Sequence, residues 1–75
     1  MSMAHQRIVT DPAIMFGKPV IRGTRITVEH ILRQLGSGAS PEAIVKEHPR
    51  LTIEDIRAAQ AFAADCLASD EIVFA

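Results

Sequence analysis

Apolar residues recur at helical spacing through the C-terminal two thirds of the chain, and this pattern predicts three short helices. The first helix should begin after Thr27, whose hydroxyl can accept a hydrogen bond from a free amide of the first turn, and end at Gly36-Ser37-Gly38. Its apolar residues share one face, as in an amphipathic helix that packs on a core: Val28, Ile31, Leu32 and Leu35.

The second helix is predicted to begin at Ser40-Pro41, where a capping hydroxyl precedes a proline at the first helical position. It should end near Glu47, because His48 precedes Pro49 and is disfavoured in helical geometry. Ile44 and Val45 provide its apolar face.

The third helix is predicted to begin after Thr52 and to run to about Ser69, with Asp55 placed to complete a capping box. Its inward stripe should contain Ile56, Ala59, Phe62, Ala63 and Cys66. Its outward residues should be Glu54, Asp55, Arg57, Ala58, Gln60 and Ala61. In this interpretation Cys66 is a small buried apolar residue.

The N-terminal third alternates short β-prone runs with turn residues. Residues 1–6 show no period and are expected to be disordered, whereas Arg7-Ile8-Val9 and Val20-Ile21 can form a two-stranded ribbon within residues 7–26. A ribbon of this size is weak alone, so we expect it to pair with the ribbon of a second copy. The tail, residues 70–75, contains Ile72-Val73-Phe74, which should cover the core, pair as a strand or meet a partner.

These elements predict a single domain of 75 residues with a mostly α fold: a three-helix, homeodomain-like helix-turn-helix bundle over residues 27–69, preceded by a short β-ribbon. The core should be aliphatic, because Phe16, Phe62 and Phe74 are the only aromatic residues. A domain this small has a marginal core, which is a second reason to expect a homodimer.

Charge is unevenly distributed although the net charge is only −1. Residues 1–36 carry five cations and two carboxylates, a balance of +3, and residues 37–75 carry three cations and seven carboxylates, a balance of −4. Three of the cations lie in the loop Gly17 to Ile26, which suits contact with phosphate. The loop could equally be a structural elbow, with Gly23 at positive φ, Thr24 bonded to its own backbone and Arg22 or Arg25 paired with a carboxylate of the acidic half.

A helix-turn-helix would place the third helix in the major groove of DNA. Arg57 suits guanine and Gln60 suits adenine, whereas Glu54 and Asp55 would repel phosphate. The candidate DNA-binding residues are Lys18, Arg22, Thr24, Arg25, Arg50, Thr52, Arg57 and Gln60.

Other chemistry has little support in the sequence. His5, His30 and His48 show no metal-ligand spacing, no nucleotide-binding glycine motif is present, and no nucleophile has an evident base, so we expect no metal, no cofactor and no enzymatic activity. No apolar run is long enough to span a membrane or to form a signal peptide. We therefore expect a cytoplasmic protein.

The motifs resemble those of a known family, the domain-of-unknown-function family numbered 433. The likeness covers about residues 7–64 and is carried by the run Gly17 to Ile26, by Gly36, by Ser40-Pro41-Glu42, by the turn Pro49 to Thr52 and by the alanine-rich third helix. Two departures are Thr27, where the family often has proline, and the short tail after Ser69.

The resemblance implies a function that composition and spacing do not. Many members look like antitoxins encoded beside a PIN-like ribonuclease toxin, which implies a DNA-binding antitoxin that autoregulates its operon. The acidic third helix and the near-neutral charge leave a second interpretation open, a protein-interaction module that binds its partner without binding DNA. With so short a tail, the folded surface would have to contact the toxin.

Overall fold

The computed structural model describes residues 5–69, which form a short antiparallel ribbon followed by three helices. The mostly helical fold predicted from the sequence is confirmed. The predictions for residues 1–4 and for the tail lie outside the described residues. The elements are β1 (Ile8–Val9), β2 (Val20–Ile21), α1 (Val28–Gly36), α2 (Pro41–Glu47) and α3 (Ile53–Ser69).

The ribbon is bordered on one side by its own chain. β1 pairs with β2 in the register Ile8 with Ile21 and Val9 with Val20. On the other side of β2, Val20 forms a bridge with Thr27, and the Ile21 amide donates to the Ile26 carbonyl at 3.0 Å. Pairing with a second ribbon would therefore have to use the outer edge of β1.

Each helix and the ribbon contribute one of the largest fully buried side chains of the aliphatic core. Ile31 of α1, Ile44 of α2, Ile56 of α3 and Val20 of β2 are fully buried. Burying each such side chain stabilises the fold by roughly 1.5–3 kcal/mol. The ribbon shares the core of the helices through Ile8 and Ile21, which pack in one cluster with those three isoleucines.

Side-chain oxygens cap all three helices at the positions predicted from the sequence. The Thr27 hydroxyl accepts from the His30 amide at 3.0 Å, and the Ser40 hydroxyl accepts from the Ala43 amide at 3.1 Å. At the start of α3 the cap is reciprocal: the Asp55 amide donates to the Thr52 hydroxyl at 3.2 Å, and the Thr52 amide donates to the Asp55 carboxylate at 3.0 Å.

The predicted inward face of α3 is wrong at three positions. Asp55 and Ala58 are buried rather than outward, because the ribbon packs against that side of the helix. Cys66 is exposed rather than buried. Cys66 lies near the C-terminal end of the 17-residue α3, where residues 64–68 are all exposed.

The segment before β1 contacts α3 at two positions along the length of the helix. The His5 ring lies 2.7 Å from a carboxylate oxygen of Asp65 and meets the Phe62 ring edge-on at 5.3 Å. The Arg7 guanidinium then reaches Asp55, about three helical turns earlier. His5 and Gln6, which the sequence assigned to a disordered end, thus belong to the described fold.

The chain turns sharply between the two strands at the Met15–Gly17 segment. Met15, Phe16 and Gly17 all have positive φ, at 49°, 59° and 83°. Phe16 is 95% exposed, so no packing offsets the cost of its left-handed backbone.

Within residues 5–69, none of the helices combines the length and the apolar run that crossing a bilayer requires.

Replacing Asp55 by Ala should lower the free energy of unfolding by roughly 1–3 kcal/mol, because it removes half of the capping box and leaves Arg7 without its carboxylate. Chemical denaturation measures this decrease. Glu54→Ala, which removes an exposed carboxylate from the same turn, is the control and should cost about 0.5 kcal/mol. Equal decreases in the two variants would contradict the role given to Asp55.

Replacing Phe16 by Asn should raise the free energy of unfolding by up to about 1 kcal/mol, since Asn tolerates positive φ and the ring that it replaces is exposed. Thermal and chemical denaturation report the change. Gly17→Ala should have the opposite sign, because its new Cβ would meet Pro12 at an ordinary 3.8 Å while its backbone would be strained. A destabilised Phe16→Asn variant would show that the aromatic side chain is packed.

Candidate nucleic-acid interface

Two adjacent depressions lie where the ribbon meets the turn between α2 and α3. They share Arg50 and together carry four arginines, Arg7, Arg22, Arg25 and Arg50, which we call the arginine face. The first depression, about 520 Å³, is lined by Val9, Ile14, Gly23, Thr24, Arg25, Ile26 and Arg50. The second, about 490 Å³, is lined by Gln6, Arg7, Arg22, Arg50, Thr52 and Asp55.

The loop after β2 has the backbone of an elbow. Gly23 has a φ of 81°, the Thr24 hydroxyl donates to the Ile21 carbonyl at 2.8 Å, and the Ile26 amide donates back to that hydroxyl at 3.0 Å. These bonds fix the direction in which the flanking residues Arg22 and Arg25 leave the loop. The structural interpretation of the glycine and threonine is therefore correct.

One part of the elbow interpretation is wrong: neither Arg22 nor Arg25 forms an ion pair with a carboxylate in residues 5–69. Arg22 is exposed, and its Nε donates to the Gln6 carbonyl at 2.8 Å, which orients the side chain without neutralising it. The side chains of Arg25 and Arg50 are exposed and form no hydrogen bond or ion pair with any residue between 5 and 69. The loop is a structural elbow that presents its cations to solvent.

Arg7 belongs to this surface but is not among the DNA-binding residues predicted from the sequence. Its guanidinium donates to the Asp55 carboxylate at 3.1 Å, and the side chains are 51% and 8% exposed. The other oxygen of the same carboxylate accepts a hydrogen bond from the Thr52 amide, so both carboxylate oxygens are bonded within the protein. Of the two acidic residues that argued against DNA contact, Asp55 is thereby neutralised and Glu54 alone remains exposed.

Lys18 lies apart from the arginine face and lines neither depression. Its ammonium donates to Glu29 at 3.0 Å, and Arg33 bonds to the other oxygen of the same carboxylate at 3.2 Å. The hydrogen bond from Lys18 is the largest cause that holds the pKa of Glu29 below its ordinary value, and the hydrogen bond from Arg33 is the second. Two cations sharing one carboxylate keep Lys18 only partly available to a ligand.

Arg57 and Gln60 also lie outside both depressions. The Arg57 guanidinium donates to the Gln60 side-chain carbonyl at 3.1 Å, a pairing that the spacing of three residues on one helix favours. The structure thus brings together five of the eight predicted residues, namely Arg22, Thr24, Arg25, Arg50 and Thr52.

The histidines offer no metal site among the described residues. His30 and His48 are brought into ring contact by the packing of α1 near the end of α2, with centroids 5.6 Å apart. No group of three His, Cys, Asp or Glu side chains in residues 5–69 converges in a way that could hold a metal ion.

Comparison with known families places the chain. The sequence model described as "Protein of unknown function (DUF433)" matches residues 8–63, about three quarters of the sequence. The chain belongs to the DUF433 family. The matched region includes the whole arginine face except Arg7.

Two relatives support the assignment. A crystal structure of a DUF433 member from Anabaena variabilis superposes with a TM-score of 0.77 at 30% identity, covering 84% of this chain and 62% of the other. The protein named "Uncharacterized protein y4eO" of Sinorhizobium fredii is 33% identical over 63 residues, or 84% of this chain. The DUF433 chain spans only about 28% of the length of that relative.

Replacing Lys18 by Gln should raise the pKa of Glu29 toward its ordinary value of 4.5, because the largest cause of the lowering is removed. A group whose pKa is lowered by folding stabilises the fold above its unfolded pKa, and that contribution is lost as pH falls through the folded pKa. The stability difference between the parent and Lys18→Gln should therefore be present at neutral pH, decline below pH 4.5 and vanish once the pH falls below the lowered pKa of Glu29 in the folded protein.

An NMR titration of the Glu29 carboxyl carbon measures the shift directly. Lys46→Gln removes an exposed lysine on α2 and should leave the Glu29 titration in place. An unchanged Glu29 pKa in Lys18→Gln would mean that Lys18 does not hold this carboxylate in solution.

Proposed function

We propose that this DUF433 protein is a DNA-binding helix-turn-helix antitoxin whose arginine face contacts the phosphate backbone of its operator. The observation that carries the proposal is the convergence of Arg22, Arg25 and Arg50 on one surface, exposed and without an ion pair in residues 5–69. The second depression also contains Arg7 and Asp55. The charged residues of the two depressions together give a net charge of +3. Clustered guanidinium groups gain affinity for DNA by releasing counterions.

The position of α3 supports the same proposal. In a helix-turn-helix the N-terminal end of the recognition helix approaches the bases. Thr52, which caps α3, lines the second depression beside Arg22 and Arg50. The positive end of the α3 dipole therefore adds to the charge of the arginine face.

Sequence readout is assigned to the exposed residues further along α3. Arg57 and Gln60 are the proposed base contacts, and DNA would have to replace the hydrogen bond that joins them. Thr24 and Thr52 are proposed as neutral contacts, and Lys18 as a peripheral phosphate contact that competes with Glu29.

The antitoxin role rests on the family resemblance rather than on the arginine face. We propose that the protein forms a homodimer in the cytoplasm, neutralises a PIN-like ribonuclease through its folded surface and represses its own operon. It performs no catalysis in this proposal and needs no cofactor. A small PIN-like nuclease encoded in the adjacent reading frame would support it.

A second candidate function is a protein-interaction module without DNA affinity. It is favoured by the bond between Arg57 and Gln60, which occupies both proposed base readers, and by the exposed Glu54 at the start of α3. Under this alternative the protein copurifies with its partner but shifts no DNA.

Replacing Arg25 and Arg50 together by Ala should weaken binding to a fragment of the protein's own promoter. The slope of log affinity against log salt concentration should become shallower by about two, one for each phosphate that is no longer neutralised. Thermal stability should stay nearly unchanged, since neither side chain bonds to a described residue. Fluorescence anisotropy over a salt series measures the affinity.

The matched control removes two cations that line neither depression, Arg33→Ala with Lys46→Ala. It should leave the salt slope within about 0.5 of the parent. Promoter binding that is indifferent to salt, or an equally shallow slope in the control, would reject phosphate contact by the arginine face. Absence of any promoter shift would favour the protein-interaction module.

A further inference from the structure

The first depression has an apolar floor that phosphate contact does not explain. Val9, Ile14 and Ile26 are only partly buried and line it, while Arg25 and Arg50 lie at the same depression without an ion pair in residues 5–69. Phosphate is strongly hydrated and gains nothing from an aliphatic surface. A better occupant would place apolar side chains on the floor and carboxylates beside the arginines.

The chain itself contains a segment of this composition. Asp70-Glu71 is followed directly by Ile72-Val73-Phe74, and no other stretch of the sequence places two adjacent carboxylates before three adjacent apolar residues. The segment carries a charge of −2, opposite to the +2 that Arg25 and Arg50 give the first depression. Both its charge and its apolar side chains therefore complement the first depression.

Distance prevents the segment from reaching the depression of its own chain. The depressions meet at Arg50, next to the N-terminal end of α3, and Ser69 lies about 24 Å away along the helix. Ile72 to Phe74 follow Ser69 by three to five residues, which span at most about 18 Å when extended.

The path of the N-terminal segment also leads away from Ser69 and toward the first depression. It passes from Asp65, contacted by His5, back to Asp55, contacted by Arg7. Val9 of the first depression follows Arg7, and the depression also includes Arg50, which precedes α3 in the chain. The first depression thus includes a residue just before the N-terminal end of α3, whereas Ser69 lies at the C-terminal end of that helix.

We propose that residues 70–75 of one copy dock in the first depression of a second copy, with Asp70 and Glu71 at Arg25 and Arg50 and Ile72 to Phe74 on the apolar floor. Reciprocal docking joins two copies in a dimer. This inference does not depend on DNA binding, but it has a consequence for it. A docked segment covers two of the arginines proposed to contact DNA, so the two interactions compete.

The first experiment uses a synthetic peptide of residues 67–75 as the probe. The receiver is the full 75-residue chain carrying Ile72→Ser, Val73→Ser and Phe74→Ser, a variant that changes no residue described in the structure. The peptide should shift the amide NMR signals of Gly23, Thr24 and Ile26. A control peptide with Asp70→Lys and Glu71→Lys should bind at least tenfold more weakly. Shifts confined to another surface, or none at millimolar peptide, would overturn the proposal.

The second experiment measures mass in solution by sedimentation equilibrium. The parent should be a dimer, and the triple-serine variant should dimerise at least tenfold more weakly. A chain with Arg25→Glu and Arg50→Glu and a chain with Asp70→Lys and Glu71→Lys should each be monomeric alone. Mixed together they should form a heterodimer, because both docking sites then pair opposite charges.

Each outcome separates this inference from the proposed function. A parent that stays monomeric, a triple-serine variant that stays fully dimeric, or charge-reversed chains that fail to associate would overturn docking while leaving promoter binding untouched. Promoter binding by the variant with Arg25→Ala and Arg50→Ala tests the proposed function. The mass of the triple-serine variant in solution tests docking. If docking competes with DNA, that variant should bind the promoter more tightly than the parent.

Discussion

The structure depends most on one buried carboxylate. Asp55 accepts the Thr52 amide at the start of α3 and, through its other oxygen, the Arg7 guanidinium that precedes the ribbon. A single side chain therefore starts the third helix and attaches the N-terminal segment to it. Because the carboxylate is almost fully buried, removing Arg7 would leave its charge without a counter-charge, which is costly in the interior. The ribbon keeps its place over α3 partly for this reason.

The arginine face follows from that attachment. With the ribbon held on α3, the loop after β2 meets the turn before α3, and Arg22, Arg25 and Arg50 are brought together from distant parts of the sequence. Their mutual repulsion is tolerated because they remain in solvent, where charges are strongly screened. Surfaces that keep unpaired cations together suit an anionic partner, whether nucleic acid or an acidic segment of protein.

The two proposed uses of this surface share Arg25 and Arg50 but differ in the rest of the residues that they need. The second depression is polar and sits at the positive end of α3, as a phosphate site requires. The first depression combines arginines with an aliphatic floor, which suits a peptide that is both acidic and apolar. Arg50 belongs to both, so occupation of one depression is coupled to occupation of the other.

Local chemistry in the sequence determined where the helices begin and end, because a cap needs only a hydroxyl or carboxylate within three residues, as at Thr27, Ser40 and Thr52. It also determined the elbow at Gly23 and Thr24, which bonds within itself. Only the tertiary structure decided that Arg7 joins the arginine face, that Asp55 and Ala58 are buried, that Cys66 is exposed and that Lys18 pairs with Glu29. Each of these depends on which distant element covers a face, and residue spacing along one helix carries no information about that.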